Sequence, residues 1–147
     1  MQTSLTMRSA TASDAAVIAA LYVANLAALH QAPISQGEWE TVLSESDPDE
    51  EHYIIEADGA PAAWVKINGL QNKDTVWLSM LVVDPAKHRQ GIGRFAVEAF
   101  EAVGQAYGFR SFSIRTTADN IPARSLYRLC GYAETESGAF CYYKKTI

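Results

Sequence analysis

A long apolar run, a glycine-rich turn and an amphipathic helix follow one another in this chain and constrain its fold most. Seven of the nine residues 75–83 are apolar, which predicts a strand buried on both faces. Pro85 ends that strand, and the turn Gly91-Ile92-Gly93 follows. Apolar residues then recur at i, i+3, i+4 and i+7 through Ala106, which is the period of an amphipathic helix.

This order of elements is typical of an anion-binding turn. Glycines let a ligand approach the backbone, while the free N–H groups and the dipole of the following helix favour negative charge. Positive side chains surround the same turn, namely Lys87, His88, Arg89 and Arg94. A Gly-x-Gly turn also occurs where a helix simply packs on a strand, so the spacing alone leaves a binding role and a packing role open.

Two common phosphate loops do not fit the turn. A dinucleotide-binding fingerprint would need a third glycine where this chain has Ala96, and an acid in the next strand, yet residues 111–118 contain none. A Walker loop would need Gly-Lys-Ser/Thr, which does not follow. A dinucleotide-binding fold is therefore the disfavoured alternative.

The rest of the chain alternates short strands and helices, which predicts one α/β domain over residues 1–147. That length is typical of one compact domain. Further strands are expected at residues 5–8, 52–55, 62–67, 111–116 and 139–147. Helices are expected at residues 17–30, around 39–43 and at 122–130, where Pro122 opens the helix and Gly131 follows it.

Charge is divided between the two halves of the chain. Residues 1–86 hold 12 acids and 3 bases, whereas residues 87–147 hold 5 acids and 9 bases, for a net charge of −5. An acidic chain is a poor general nucleic-acid binder. The basic part contains the glycine turn, which favours a phosphate-bearing ligand there. Residues 38–58 contain nine acids and no base, which indicates either a surface for a cationic ligand or a solvated acidic loop.

Cysteine and histidine content argues against disulfides and metal. Cys130 and Cys141 are too few for a disulfide framework and fit a reducing, cytoplasmic compartment. The three histidines lie far apart in sequence, so no metal site is expected. No stretch approaches the roughly 18 apolar residues of a membrane span, and no membrane association is expected.

Two motifs follow one another in the chain. The first is Val83-Asp84-Pro85 followed by His88-Arg89-Gln90-Gly91-Ile92-Gly93. The second consists of Asn120, Ala123, Tyr127, Gly131 and Tyr132. In this order and at these spacings they resemble the motifs of the GNAT superfamily of N-acetyltransferases. The resemblance implies a mixed, mostly antiparallel sheet flanked by helices and splayed between its fourth and fifth strands. It also implies transfer of an acetyl group from acetyl-CoA to a primary amine, either a small cationic amine or an exposed amino group.

By the same resemblance, the backbone of Leu81 and Val83 would bind the pantetheine arm, and a backbone N–H near Leu81 or Val82 would meet the acetyl carbonyl. The amides of residues 89–94 would hold the pyrophosphate. His88 stands where the family has Gln or Arg, and is either a weaker phosphate ligand or a solvated loop residue. The expected contacts with acetyl-CoA are Leu81, Val82, Val83, His88, Arg89, Gln90, Gly91, Ile92, Gly93, Arg94, Asn120 and Tyr127.

The resemblance makes Tyr127 the general acid that protonates the leaving thiolate, because a phenol with a pKa of about 10 carries its proton at neutral pH. Asn120 would contact the cofactor or cap the helix that follows. Family members often carry a glutamate at the position of Ser79, so the general base stays unassigned among Glu38, Glu40, His30, Glu56 and a water chain.

The absence of that glutamate leaves an alternative from another class, a non-catalytic CoA-binding or regulatory module of the same fold. Both cysteines are expected to be buried structural residues rather than acyl carriers, since nothing in the sequence supplies a partner that would activate them. A homodimer is a further expectation from the family resemblance.

Overall fold

The computed structural model describes residues 3–25, 34–45, 47–72, 74–87 and 89–147, and its centre is a seven-stranded sheet. The strand order is β1-β2-β3-β4-β5-β7-β6, and every neighbouring pair is antiparallel except the parallel pair β4–β5. The predicted α/β fold class is confirmed. The strands are β1 Leu5–Ser9, β2 Glu50–Ala57, β3 Ala60–Asn68, β4 Val76–Val83, β5 Ser111–Thr117, β6 Ala133–Ser137 and β7 Phe140–Thr146.

Four helices flank the sheet in the described residues. They are α1 Ala15–Ala24, α2 Gln36–Ser44, α3 Ile92–Ala106 and α4 Ile121–Leu129, and short 3-10 turns cover Ala12–Asp14 and Pro85–Lys87. The helix expected at 17–30 instead begins at Ala15 and ends at Ala24, with Asn25 as its C-cap, and residues 26–30 of that expectation lie outside the described residues.

The sheet is covered on both faces because its strands alternate apolar side chains between two cores. On one face α3 packs over β3, β4 and β5, with Phe100 against Phe112 at a ring distance of 5.4 Å. On the other face α1 and α2 pack over β2 and β3. There Trp39 contacts both Tyr22 and Trp64 edge to face, at ring distances of 5.5 and 4.9 Å.

A partly buried ion pair fixes the start of α1 against the sheet. The Arg8 guanidinium on β1 donates to both carboxylate oxygens of Asp14, at 2.9 and 2.8 Å, and the Thr11 N–H donates to the same carboxylate at 2.8 Å. Asp14 is 5% exposed. The hydrogen bond from Arg8 holds the pKa of Asp14 below its usual range, so the carboxylate stays ionised where α1 begins.

Strand β4 differs from the prediction of a strand buried on both faces. Val76, Leu78 and Val82 are buried, whereas the other residues of β4 are only partly buried. The register against β3 shifts between Lys66 and Ile67, so Ser79 is an extra residue that bulges out of β4. Strand β6 was not among the predicted strands, because its exposed polar side chains carry no apolar alternation.

The parallel pairing between β4 and β5 is short. It joins Val76, Trp77 and Leu78 to residues 112–114 and ends there, although β4 continues to Val83 and β5 to Thr117. The two strands therefore separate beyond Leu78 and leave a gap in the middle of the sheet. This is the splay that the family resemblance implies. None of the described helices is both long and apolar enough to cross a bilayer.

Replacement of Gly104 by alanine is expected to lower the free energy of unfolding by about 1–3 kcal/mol, because overpacking a well-filled core costs that much. A Cβ at this position in α3 would overlap the Phe112 ring and lie 3.0 Å from Val76 Cγ1. Urea unfolding followed by circular dichroism measures the change.

Gly37→Ala is the matched control. A Cβ at Gly37 in α2 has no atom within 4 Å, so this variant should gain up to about 1 kcal/mol from helix propensity. Equal stability of the two variants would contradict the tight packing of α3 on β4 and β5.

Candidate active site

Two cavities meet at the gap between β4 and β5. The α4 cavity, of about 120 Å³, is lined from α4 and the end of β5 by Thr117, Asn120, Ala123 and Tyr127, among others. The β3 cavity, of about 450 Å³, is lined by Lys66 and Asn68 of β3 and by Trp77 and Tyr142. Both cavities share Leu78, Ser79, Met80 and Arg115.

The two cavities open on opposite faces of the sheet. Lys66 and Asn68 project on the same side of β3 as Trp64, whose ring packs against α2, since alternate residues of a strand share a face. Tyr127 belongs to the core on the α3 side. The gap is therefore a passage through the sheet.

The edge of β4 presents its backbone to the gap. The Asp84 N–H donates to Ala62 O at 2.8 Å, so by strand alternation the polar groups of Val82 also face β3 and those of Leu81 and Val83 face the gap. Asn25 at the end of α1 donates to Val83 O at 3.2 Å. Of the two residues expected to offer an N–H to an acetyl carbonyl, Leu81 is the one whose N–H faces the gap.

The bulge residue Ser79 occupies the point where the two cavities join. Its hydroxyl donates a hydrogen bond to Asn68 Oδ1 across to β3. By the resemblance to GNAT enzymes, Ser79 stands at the position where a glutamate is often found. A hydroxyl there has no basic group to offer, and its hydrogen bond instead ties the bulge to the neighbouring strand.

Tyr127 lies in the wall of the α4 cavity and is 5% exposed. Its ring packs edge to face on Tyr143 at 5.2 Å, and its hydroxyl makes no hydrogen bond with any residue that the structure describes. Burial, followed by the neighbouring Tyr143, raises its pKa well above the usual value of a phenol. The side chain is therefore held as a neutral phenol with a donor available to the cavity.

Helix α4 is anchored so that Tyr127 keeps this place. Asn120 caps the helix by accepting from the Ala123 N–H at 3.3 Å. Arg124 donates to Ala118 O at 2.8 Å and to Glu134 Oε1 at 3.1 Å, which ties α4 to the end of β5 and to β6. Hydrogen bonds from Arg124 and Tyr143 lower the pKa of Glu134 to about 2, so this anchor stays charged at neutral pH.

The glycine turn at the end of β4 has the backbone of an anion site. Gly91 is the N-cap of α3 with φ of +75°, and Arg89 has φ of +65°. The first N–H groups of α3 have no partner within the helix. Arg94 is exposed beside Glu98 at 3.3 Å, and Lys87 donates to Pro61 O at 3.1 Å. His88 lies outside the described residues.

None of the described candidates for a general base lies in the gap. Glu38 is held in the capping box of α2, Glu40 accepts from Gln36 at 3.2 Å, and Glu56 pairs with Arg8 at 3.4 Å. His30 lies outside the described residues. The nine acids of residues 38–58 line neither cavity of the gap, and several of them surround a separate cavity beside His52.

The sequence analysis did not single out Arg115. It lies on β5 one residue beyond the last pair with β4, and it lines both cavities. The available signal was a lone arginine inside a strand of small and apolar residues. Cys141 is buried as expected, whereas Cys130 is only partly buried, and partial burial raises the pKa of its thiol. In the described residues no three His, Cys, Asp or Glu side chains group as a metal site.

Comparison with known proteins decides the family. A model of the acetyltransferase (GNAT) family matches residues 15–132, which is most of the chain. The chain belongs to the GNAT acetyltransferase family. The predicted family and the predicted N-acetyltransferase are thereby confirmed, and the acyl donor of GNAT enzymes is acetyl-CoA. No curated protein sequence matches this GNAT chain.

Solved structures share the fold of this GNAT chain at low sequence identity. An acetyltransferase from Thermus thermophilus has a TM-score of 0.83 and 18% identity, with 98% of this chain and 97% of that one covered. A domain from Methanocaldococcus jannaschii has a TM-score of 0.85 and 15% identity, with 99% and 100% covered. RimL, a ribosomal L7/L12 alpha-N-protein acetyltransferase in complex with coenzyme A, has a TM-score of 0.79 and 19% identity, with 97% and 94% covered.

Tyr127→Phe is expected to change the free energy of unfolding by less than about 0.5 kcal/mol, because the hydroxyl has no partner in the fold and its loss leaves no group unsatisfied. Tyr132→Phe is the control, since the hydroxyl of that buried tyrosine donates to Glu101 at 2.8 Å. Loss of this bond should cost about 1–2 kcal/mol. Thermal unfolding of both variants tests the difference, and a larger loss for Tyr127→Phe would contradict it.

Proposed function

We propose that this protein transfers the acetyl group of acetyl-CoA to a primary amine by direct attack of the amine on the thioester. The observation that carries the proposal is the gap between β4 and β5. It has a strand edge without a partner strand on one side, the glycine turn at its open end and a neutral buried phenol in its wall. Residues 1–147 act as one acetyltransferase domain.

The residues around the gap fit the donor along its length. The backbone groups of Leu81 and Val83 bind the two amides of the pantetheine arm as a neighbouring strand would. Thr117 Oγ1 is buried in the wall of the α4 cavity with no hydrogen-bond partner in the described structure, and an amide of the donor would satisfy it. Asn120 uses Oδ1 for its cap, which leaves its amide nitrogen as a donor.

The glycine turn binds the pyrophosphate. The N–H groups of Ile92, Gly93 and Arg94 supply hydrogen bonds, and the Arg89 and Arg94 side chains supply charge. Gln90 and Gly91 complete the turn, with the positive φ of Gly91 giving the backbone its concave shape. His88 stays a predicted contact.

In the proposed reaction the amine nitrogen bonds to the acetyl carbon, and the carbon–sulfur bond breaks after a tetrahedral intermediate. The Leu81 N–H donates to the carbonyl oxygen as negative charge develops there. Tyr127 then donates its phenolic proton to the departing thiolate and regains a proton from solvent. The raised pKa of Tyr127 ensures that the proton is present at neutral pH.

The amine loses its own proton to water in this proposal, because no carboxylate or histidine lines either cavity in the described structure. The cationic acceptor that the acidic run favours finds no carboxylate at the gap, so the acceptor class proposed here is a primary amine in general. A cytoplasmic location and a homodimer stay predictions.

Acetyl-CoA binding and acceptor-dependent thiol release test the proposal together. Isothermal titration should give a Kd in the micromolar range, and an amine panel should release coenzyme A above the hydrolysis rate. The panel contains polyamines, aminoglycosides, amino acids and lysine peptides. Ser79 in place of the glutamate motivates the alternative of a non-catalytic module, which predicts tight binding with no transfer to any amine. No binding at millimolar acetyl-CoA would contradict both.

Tyr127→Phe is expected to lower kcat by about 100-fold, because positioned proton transfer contributes at least that much. The Kd for acetyl-CoA should change less than threefold. Burial raises the pKa of Tyr127, so its phenol keeps the proton up to pH 10. The kcat of the wild type should therefore not decrease through deprotonation of Tyr127 at any pH below 10. Stopped-flow assays with a thiol reagent over pH 6–10 measure both effects, and an unchanged kcat in the variant would remove Tyr127 from the acid role.

A further inference from the structure

Arg115 is an unpaired cation at the point where the two cavities meet. Its guanidinium carbon lies 4.5 Å above the centre of the Phe140 ring, which holds the planar group in place by a cation–π contact. The side chain makes no ion pair or hydrogen bond with any described residue. Arg115 is exposed, so all its donors are available to water or to a ligand that enters the gap.

The charge of Arg115 is not balanced by other groups in either cavity. Lys66 is the other cation of the β3 cavity, and Glu50 neutralises it at 3.1 Å. None of the described lining residues is Asp or Glu. A ligand with a second positive charge would meet an uncompensated like charge here, whereas a ligand with an anionic group would pair with Arg115.

The phosphates of the donor are not the natural partner of Arg115. Arg115 follows the last β4–β5 pair, Leu78 with Ile114, at the closed end of the gap. The glycine turn lies beyond Val83 at the open end, roughly 17 Å away along a strand that rises about 3.3 Å per residue. Arg115 therefore lies near the reacting end of the donor, where the acceptor must enter.

The remaining walls of the β3 cavity indicate which other groups a ligand there would carry. Trp77, Met80 and Tyr142 supply apolar and aromatic surface. Asn68 Oδ1 is taken by Ser79, so the Asn68 amide nitrogen is left as a donor toward the cavity. A volume of about 450 Å³ is in the range of small-molecule sites.

We propose that the acceptor is a small amino acid with an apolar or aromatic side chain, and that Arg115 binds its carboxylate. This inference rests on the proposed acetyl transfer and specifies its acceptor. The guanidinium binds the carboxylate by donating two parallel N–H···O hydrogen bonds. The amine, one carbon away from the carboxylate, is thereby directed at the acetyl carbon in the gap. The apolar side chain lies against Trp77 and Tyr142.

The test compares acids with their amides. Initial rates of thiol release from acetyl-CoA are measured with leucine, phenylalanine and tryptophan and with their carboxamides. In the wild type, kcat/KM for the preferred acid should exceed that for its amide by about 10- to 100-fold, the usual effect of a charged hydrogen-bond pair. In Arg115→Gln this ratio should fall to near one, chiefly through KM of the acid.

Arg110→Gln is the matched control, because Arg110 is exposed, lines neither cavity and donates only to Ile147 O, at 3.3 Å. It should keep the acid-to-amide ratio of the wild type. The amines of an acid and of its amide have different pKa values. This difference affects the acid-to-amide ratio of kcat/KM equally in every variant, so it cancels when the ratios of two variants are compared. The Kd for acetyl-CoA should change less than threefold in Arg115→Gln, which separates an effect on the acceptor from one on the donor.

The inference fails separately from the proposed function. Equal turnover of acids and amides by the wild type, or a ratio unchanged in Arg115→Gln, would overturn the carboxylate site and leave acetyl transfer intact. If no amine is turned over, the proposed function fails, and calorimetry with N-acetyl-leucine decides the site. Binding lost in Arg115→Gln would uphold the carboxylate site, whereas no binding, or equal binding by both proteins, would overturn it.

Discussion

The early end of pairing between β4 and β5 is the constraint on which the rest of the site depends. Two parallel strands that stay paired leave no opening between them. Here the hydrogen-bonded pairing stops at Leu78 and Ile114, while both strands continue. Backbone N–H and C=O groups buried without partners are costly. The edge of β4 therefore suits an extended polar ligand, and in the proposed function that ligand is the arm of acetyl-CoA.

Two separate cores keep the strands apart. The aromatic cluster of Tyr22, Trp39 and Trp64 fixes β3 from one face, and the packing of Phe100 on Phe112 fixes α3 and β5 from the other. The charged anchor of Arg124 and Glu134 then sets α4 beside the gap. Because each wall is held by its own contacts, the opening needs no bridging residue to maintain it.

The sequence predicted the parts of the fold that local patterns determine. The strand, glycine turn and α3 follow from apolar period and chain punctuation, and α4 follows from Asn120, Pro122 and Gly131. The bulge at Ser79 and the role of Arg115 were not predictable in this way. Both depend on the register of β4 against β3 and β5, which no local pattern encodes. The acidic run of residues 38–58 could not be placed from the sequence either, because its distance from the gap depends on the topology of the sheet.

The position of the two cavities on opposite faces of one sheet has a kinetic consequence. In the proposed reaction, donor and acceptor would reach the reacting atoms by separate routes, so occupancy of one cavity would leave the entrance of the other open. Both substrates could then be bound at once, and the reaction would need no acyl-enzyme intermediate. The gap between β4 and β5 therefore favours a ternary complex of the protein with both substrates.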